Sequence, residues 1–252
     1  MDRKSLKLPF NLDKKPIWTC PTCEKGVLNP TKESFKSDEL GHSRDHSHDS
    51  WEPDCIEYVY SCQLTCSNGA CSEVVSSAGT GGVDVYECQN EDGYWEQSYE
   101  SIFKPTFFQP HLKLFRIPPE CPPEIVEPLN ESFKLFFSSP SAASNSVRMA
   151  IEALLTALKV KRFNLIKGQR RIISLHQRIQ LLPTKYSELK DMLTAIKWLG
   201  NAGSHSLNGI TQDDVLDAYD FTEHVLAEIY SPQGKKLAAL AKRVNKKRGP
   251  TK

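Results

Sequence analysis

Residues 189–206 read LKDMLTAIKWLGNAGSHS. Leu189, Leu193, Ile196 and Leu199 recur at helical spacing, which predicts an amphipathic helix with one buried face. Its end then breaks the pattern, because Gly200-Asn201-Ala202-Gly203-Ser204-His205 places two glycines, an amide and an imidazole in succession. Each glycine costs a helix roughly 1 kcal/mol relative to alanine, so packing alone does not explain the pair. Small residues here imply close approach by another backbone or by a ligand. Asn201 and His205 are four positions apart and share a face wherever the helix continues.

The sequence around this stretch predicts further helices. Glu124–Phe137 carries Ile125, Leu129, Phe133 and Phe136 on one face. Ser139 and Pro140 read as a cap followed by a first-turn proline. They open a helix to about Val160, with Val147, Ile151, Leu154, Leu155 and Leu158 as its buried stripe. A short helix is expected over Ser174–Leu182, with Thr184 capping the helix that runs on to Asn201. Thr211 starts another, which reaches Tyr230 with Val215, Ala218, Phe221, Val225, Leu226 and Ile229 inward. A basic helix over Lys235–Lys247 is expected to end the chain in a frayed tail.

Residues 1–120 have a different character. Seven of the eight cysteines lie between positions 20 and 88, and clustered cysteines in a reducing compartment read as metal ligands before disulfides. Cys20-Pro-Thr-Cys23 forms a tight turn, with Gly26 expected to take the left-handed conformation after it. Cys66 and Cys71 are the expected partner pair, and four thiolates at about 2.3 Å from one zinc would close a structural site. Cys62 competes for a place in that set, since Cys62-Gln-Leu-Thr-Cys66 also has usable spacing. Otherwise Cys62, Cys55 and Cys88 read as small buried hydrophobes.

Glu57–Thr65 alternates as a strand should, and Ser72–Ser76 reads as the strand that returns. Val83–Cys88 and Tyr94–Tyr99 read as further strands separated at Gly93. Phe103–Pro110 and Ile117–Pro123 look like a proline-rich extended connection. The histidine-bearing tract Gly41–Asp49 reads as an exposed polar insertion. The expected class is therefore α+β, with a β-rich zinc ribbon in residues 1–120 and an all-α helical bundle in 121–252.

Charge divides the chain at the same place. Residues 1–120 carry 12 Lys and Arg against 19 Asp and Glu, and residues 121–252 carry 20 against 12. The segment Lys159–Arg171, KVKRFNLIKGQRR, holds six basic residues and one phenylalanine, a composition that could grip phosphates. Arg148, Lys161, Arg162, Lys167, Arg170 and Arg171 are the candidate nucleic-acid contacts. No stretch nears the roughly 18 apolar residues of a membrane span. The first residues, MDRKSLKLPFNLDKK, lack a secretory apolar core, so a cytoplasmic location is expected.

The words ESFKLFF, SAASNSVRMAIEALL, LKDMLTAIKWLGNAGSHS and ITQDDVLDAYDFTEHVLAEIY resemble the domain-of-unknown-function family numbered 4145. That family is similar to a branch of the HEPN superfamily. The resemblance implies a helical bundle that forms a homodimer, and a role directed at RNA in bacterial anti-phage defence or toxin-like systems. Many HEPN proteins are metal-independent endoribonucleases built on an arginine, a following polar residue and a histidine. It implies His205 as the proton-transfer residue and Asn201 as the polar position. The arginine position is Gly200 here, and Lys197 is the nearest cation upstream. Arg148 could supply the guanidinium from a neighbouring helix, or it could simply pair with Glu152 one turn on.

Three functions follow as expectations. The first is an RNA- or nucleotide-binding protein. The second is a non-catalytic dimeric sensor whose ribbon recruits a partner protein. The third is a ribonuclease that uses His205, Asn201 and Lys197.

Overall fold

A computed structural model describes residues 2–14, 16–47, 49–205, 209–231, 240 and 242–246, with 203–205 described by backbone only. The chain divides into two compact units, Met1–Lys113 and Leu114–Lys252. The sequence division at 120/121 lies slightly later.

The first unit opens on a short helix, α1 (Arg3–Lys7), and is built on a five-stranded antiparallel sheet. Its strands are β1 (Leu28–Pro30), β2 (Lys36–Glu39), β3 (Glu57–Cys66), β4 (Val74–Gln89) and β5 (Trp95–Gln109). β3 pairs with β1, β2 and β4, and β4 pairs with β5. Strict alternation along β3 buries Tyr60, Cys62, Leu64 and Cys66 on one face and leaves the residues between them on the other. Tyr60 meets Phe10, Phe35 and Phe103, and Trp18 packs edge-on against Phe108 at 5.0 Å between ring centroids. Such edge-to-face contacts add stabilisation beyond area burial.

β3 covers β4 only as far as the Glu57↔Gly82 pair. Beyond it, β4 and β5 continue alone as a two-stranded ribbon, closed by a turn at Gly93 with φ 82°.

Two expectations are corrected in this unit. It is a broad sheet with strands of 16 and 15 residues, not a zinc ribbon. Phe103–Gln109, expected as a connection, belongs to β5. Pro105 is tolerated there because the register shifts between Ala78 and Gly79, opposite it. A bulge on an edge strand is where a ladder can accept a residue without an N–H. Gly79 is needed at the bulge, since a Cβ would collide with the Lys104 carbonyl.

The second unit packs α2 (Pro123–Leu135), α3 (Pro140–Ala157), α5 (Lys190–His205) and α6 (Gln212–Tyr230), with the short α4 (Leu175–Gln180) beside them. Ser139 caps α3 by accepting from the Ala142 N–H, and Pro140 follows in the first turn. Thr211 and Asp214 form a reciprocal capping box on α6. Ser174 and Gln177 do the same for α4. Thr184 does not cap α5; it opens a 3-10 turn, Thr184–Leu189, ahead of it. Ile125, Leu129, Phe133, Phe136, Ile151, Leu154, Leu193, Ile196, Val215 and Leu226 are buried as their spacing requires.

The expectation of an all-α bundle is overturned in this unit. Between α3 and α4 the chain forms a β-hairpin, β6 (Phe163–Ile166) and β7 (Gln169–Ile172). Lys167 and Gly168, with φ 51° and 76°, make its two-residue turn. Positive φ at both positions matches the twist of the flanking strands. Of the expected helix over Lys235–Lys247, Leu240 and residues 242–246 are helical, and the others lie outside the described residues.

Candidate functional site

The first unit gathers Cys20, Cys23, Cys66 and Cys71 so that their sulfurs all lie within 4.8 Å of one another. Cys20 Sγ is 3.9 Å from Cys71 Sγ, and Cys23 Sγ is 3.7 Å from Cys66 Sγ. Four thiolates held tetrahedrally at about 2.3 Å from one ion stand about 3.8 Å apart, so the set can hold a metal ion. The separation is also far beyond that of a disulfide, which needs about 2.05 Å.

Two loops build the site. The backbone after Cys23 turns left-handed at Glu24 (φ 53°), and the one after Cys71 does so at Ser72 (φ 50°). Gly26 was expected to take that conformation. It serves closeness instead: a Cβ there would collide with Cys66 Sγ and sit 3.0 Å from the Asn68 nitrogen. The Gly26 and Asn68 N–H groups each donate to a cysteine sulfur at 3.4 Å.

Donors and burial pull the thiols apart in acidity. The Gly26 N–H, with that of Lys25, holds Cys23 down to about 6, while burial pushes Cys66 up to about 12. Cys62, the rival ligand, lies outside the cluster in the sheet core, where burial raises its thiol to about 11. Cys55 is exposed and Cys88 half-buried, so neither is the buried hydrophobe expected. Among the described residues this is the one group of metal-ligating side chains. His42 and His46 instead face Glu57 and Glu39 at 3.4 and 3.0 Å.

In the second unit the basic segment becomes the β6–β7 hairpin. Lys161, Arg162, Lys167, Arg170 and Arg171 are all exposed on or beside it. Register sets two faces. Phe163 pairs with Ile172 and Leu165 with Arg170 on one; Asn164 pairs with Arg171 and Ile166 with Gln169 on the other. Two guanidinium groups lie over the Phe163 ring, that of Arg170 at 4.8 Å and that of Arg162 at 5.9 Å from its centroid. Leu165 and Ile172 are 76% and 82% exposed, apolar side chains open to solvent.

α5 carries the stretch as far as His205, with side chains described to Ala202; Asn201 is half-buried, and the His205 side chain lies outside the described residues. Lys197 is buried, with Nζ 3.2 Å from the Trp198 ring centroid, and burial lowers its ammonium pKa. Arg148 on α3 pairs with Glu152 at 2.9 Å. Gly200 lies where α3 crosses α5: a Cβ there would stand 2.7 Å from Arg148 Cβ and 3.3 Å from the Ser144 carbonyl. Close approach by a neighbouring backbone accounts for this glycine and leaves no room for an arginine.

Sequence reasoning passed over Arg178. It is 4% exposed, and its guanidinium holds the end of α3 through the Glu152 carbonyl, Thr156 and the Val160 carbonyl. Its place on the same face of a six-residue helix as the buried Leu175 and Ile179 was its only signal.

Residues 8–108 match the family described as Domain of unknown function (DUF8608), and residues 130–247 match Domain of unknown function (DUF4145). No curated protein matches the chain. No solved structure matches it either. Among the described residues no helix is long and apolar enough to cross a membrane.

Proposed function

We propose that this chain is a nucleic-acid-binding protein that engages single-stranded RNA through the β6–β7 hairpin. The observation that carries the reading is the hairpin's composition. Five exposed cations lie on or beside the hairpin, and the guanidinium of one of them, Arg170, sits over the Phe163 ring at 4.8 Å from its centroid. Cations that neutralise phosphates supply most of the affinity for a nucleic-acid strand. Aromatic rings and guanidinium planes supply the stacking surface that unpaired bases use. The positive balance of residues 121–252 supports the same partner.

The four cysteines hold zinc in this reading, as a closed structural site with no open coordination position. Thiolate ligands and free cysteines suit a reducing cytoplasm. The likeness of residues 130–247 to DUF4145, and through it to HEPN proteins, supports a homodimer and a role in defence or a toxin-like system. Binding without cleavage is favoured by the crossing at Gly200, where the motif arginine of a HEPN ribonuclease has no space.

Fluorescence anisotropy of a labelled single-stranded RNA tests the reading. Arg170→Ala with Arg171→Ala is expected to weaken binding tenfold or more. Unchanged affinity in that variant would remove the hairpin from the interface.

A further inference from the structure

At the root of the hairpin, a cleft of about 270 Å³ is lined by Arg148, Glu152, Arg162, Phe163 and Arg178, among others. Three guanidinium groups face one carboxylate, and that carboxylate is already paired with Arg148. Arg178 is 96% buried, yet its hydrogen bonds all go to neutral acceptors: Glu152 O at 3.2 Å, Thr156 Oγ1 at 2.9 Å and Val160 O at 3.4 Å. Its Nε–H and that of Arg148 are buried and have no partner among the described residues. A buried donor without an acceptor is unfavourable, and a buried charge without a counter-charge more so. Burial first, then the nearby Arg162 charge, holds the Arg178 pKa below the usual arginine value. Three guanidinium charges therefore converge here on a single carboxylate, Glu152, which leaves positive charge in excess.

The geometry points to a phosphate site: we propose that this cleft takes the phosphate group of a mono- or diester against Arg162 and the unpaired Nε–H groups of Arg148 and Arg178. Guanidinium forks match the oxygens of a phosphate, and charge-assisted bonds of this kind are the strong ones. Arg162 stands exposed at the mouth, placed to receive the ligand, while Arg178 is fixed by the end of α3. The phosphate comes either from a strand lying along the hairpin or from a free phosphorylated small molecule. In its strand form the inference rests on the RNA reading above; phosphate binding itself does not.

Calorimetric titration of the full chain with inorganic phosphate, at fixed ionic strength, tests the site. One phosphate per chain is expected. Arg162→Gln, a change at an exposed position, is expected to weaken it about tenfold. Glu152→Gln removes the competing carboxylate and is expected to strengthen it several-fold. Displacement of phosphate by an RNA oligomer assigns the group to a strand, and displacement by adenosine monophosphate alone assigns it to a free ligand; either supports the site. RNA that fails to bind while phosphate still does would defeat the RNA reading and leave this site standing. No phosphate binding, or binding indifferent to both variants, overturns it.

Discussion

Gly200 on α5 and Arg148 on α3 touch so closely that a Cβ on Gly200 would lie 2.7 Å from Arg148 Cβ and 3.2 Å from its Cδ. Two opposing effects meet at this position. Alanine would favour the helix by about 1 kcal/mol relative to glycine. Overpacking a tight contact costs about 1–3 kcal/mol. Gly200→Ala is therefore expected to lower stability in urea unfolding, and Gly200→Arg to lower it much further without creating nuclease activity. A more stable Gly200→Ala protein would mean that the crossing is looser than described.

The buried pair Tyr219 and Ser132 gives a second outcome. Ser132 Oγ donates to the Ala143 carbonyl at 2.7 Å, so the Tyr219 hydroxyl, 2.7 Å away, donates to Ser132. Tyr219 is fully buried among Phe115, Phe133 and Phe136. Tyr219→Phe keeps the ring and loses one hydrogen bond, for an expected cost of about 1–2 kcal/mol. Tyr219→Ala also opens a cavity and should cost about 3–5 kcal/mol. Equal unfolding midpoints for the two variants would contradict this division.

Metal analysis of the purified protein is expected to find one ion per chain, lost in Cys66→Ser. Gly26→Ala should weaken metal retention as well, because the added methyl group collides with Cys66 Sγ. Full metal content in Gly26→Ala would refute the close approach.

The thiols of the metal-free protein should differ in reactivity. Cys23 is lowered to about 6 and Cys62 raised to about 11, and the thiolate is the nucleophile. At pH 7 alkylation should mark Cys23 well before Cys62. A thiol whose folded pKa is depressed stabilises the fold at pH above the unfolded value, and that contribution fades as pH falls through the folded value. Cys23 therefore favours the metal-free fold at alkaline pH and loses that effect on acidification toward about 6. Uniform labelling of the two cysteines would contradict the assigned environments.

Local chemistry was the part of the fold most legible from sequence. Ser139-Pro140 and Thr211 announce helix starts because a cap is set by its own neighbours. The cysteine set was legible for the same reason, each pair lying within one tight turn or loop. The β6–β7 hairpin was not, because its turn is Lys-Gly and its charges hide the strand alternation. The full length of β5 was not, because Tyr94–Tyr99 reads as a strand while Phe103–Pro110, with prolines that normally end a strand, reads as a connection; the register shift between Ala78 and Gly79, where Gly79 faces Pro105, accommodates the proline. Gly200 announced a close approach, but which residue approached depended on α3, fifty residues earlier in the chain. Arg178 and the cleft it lines depend on three separate segments and left no local pattern.

The salt dependence of RNA affinity tests the central claim most directly. Each phosphate neutralised on a single strand contributes about −0.7 to the slope of log K against log salt concentration. The parent protein should show a clearly negative slope. Arg170→Ala with Arg171→Ala, both on the exposed hairpin, should flatten it by about 1.4 while leaving the unfolding midpoint unchanged. A parent slope near zero, or a double variant with the parent's slope, would contradict an RNA interface on this hairpin.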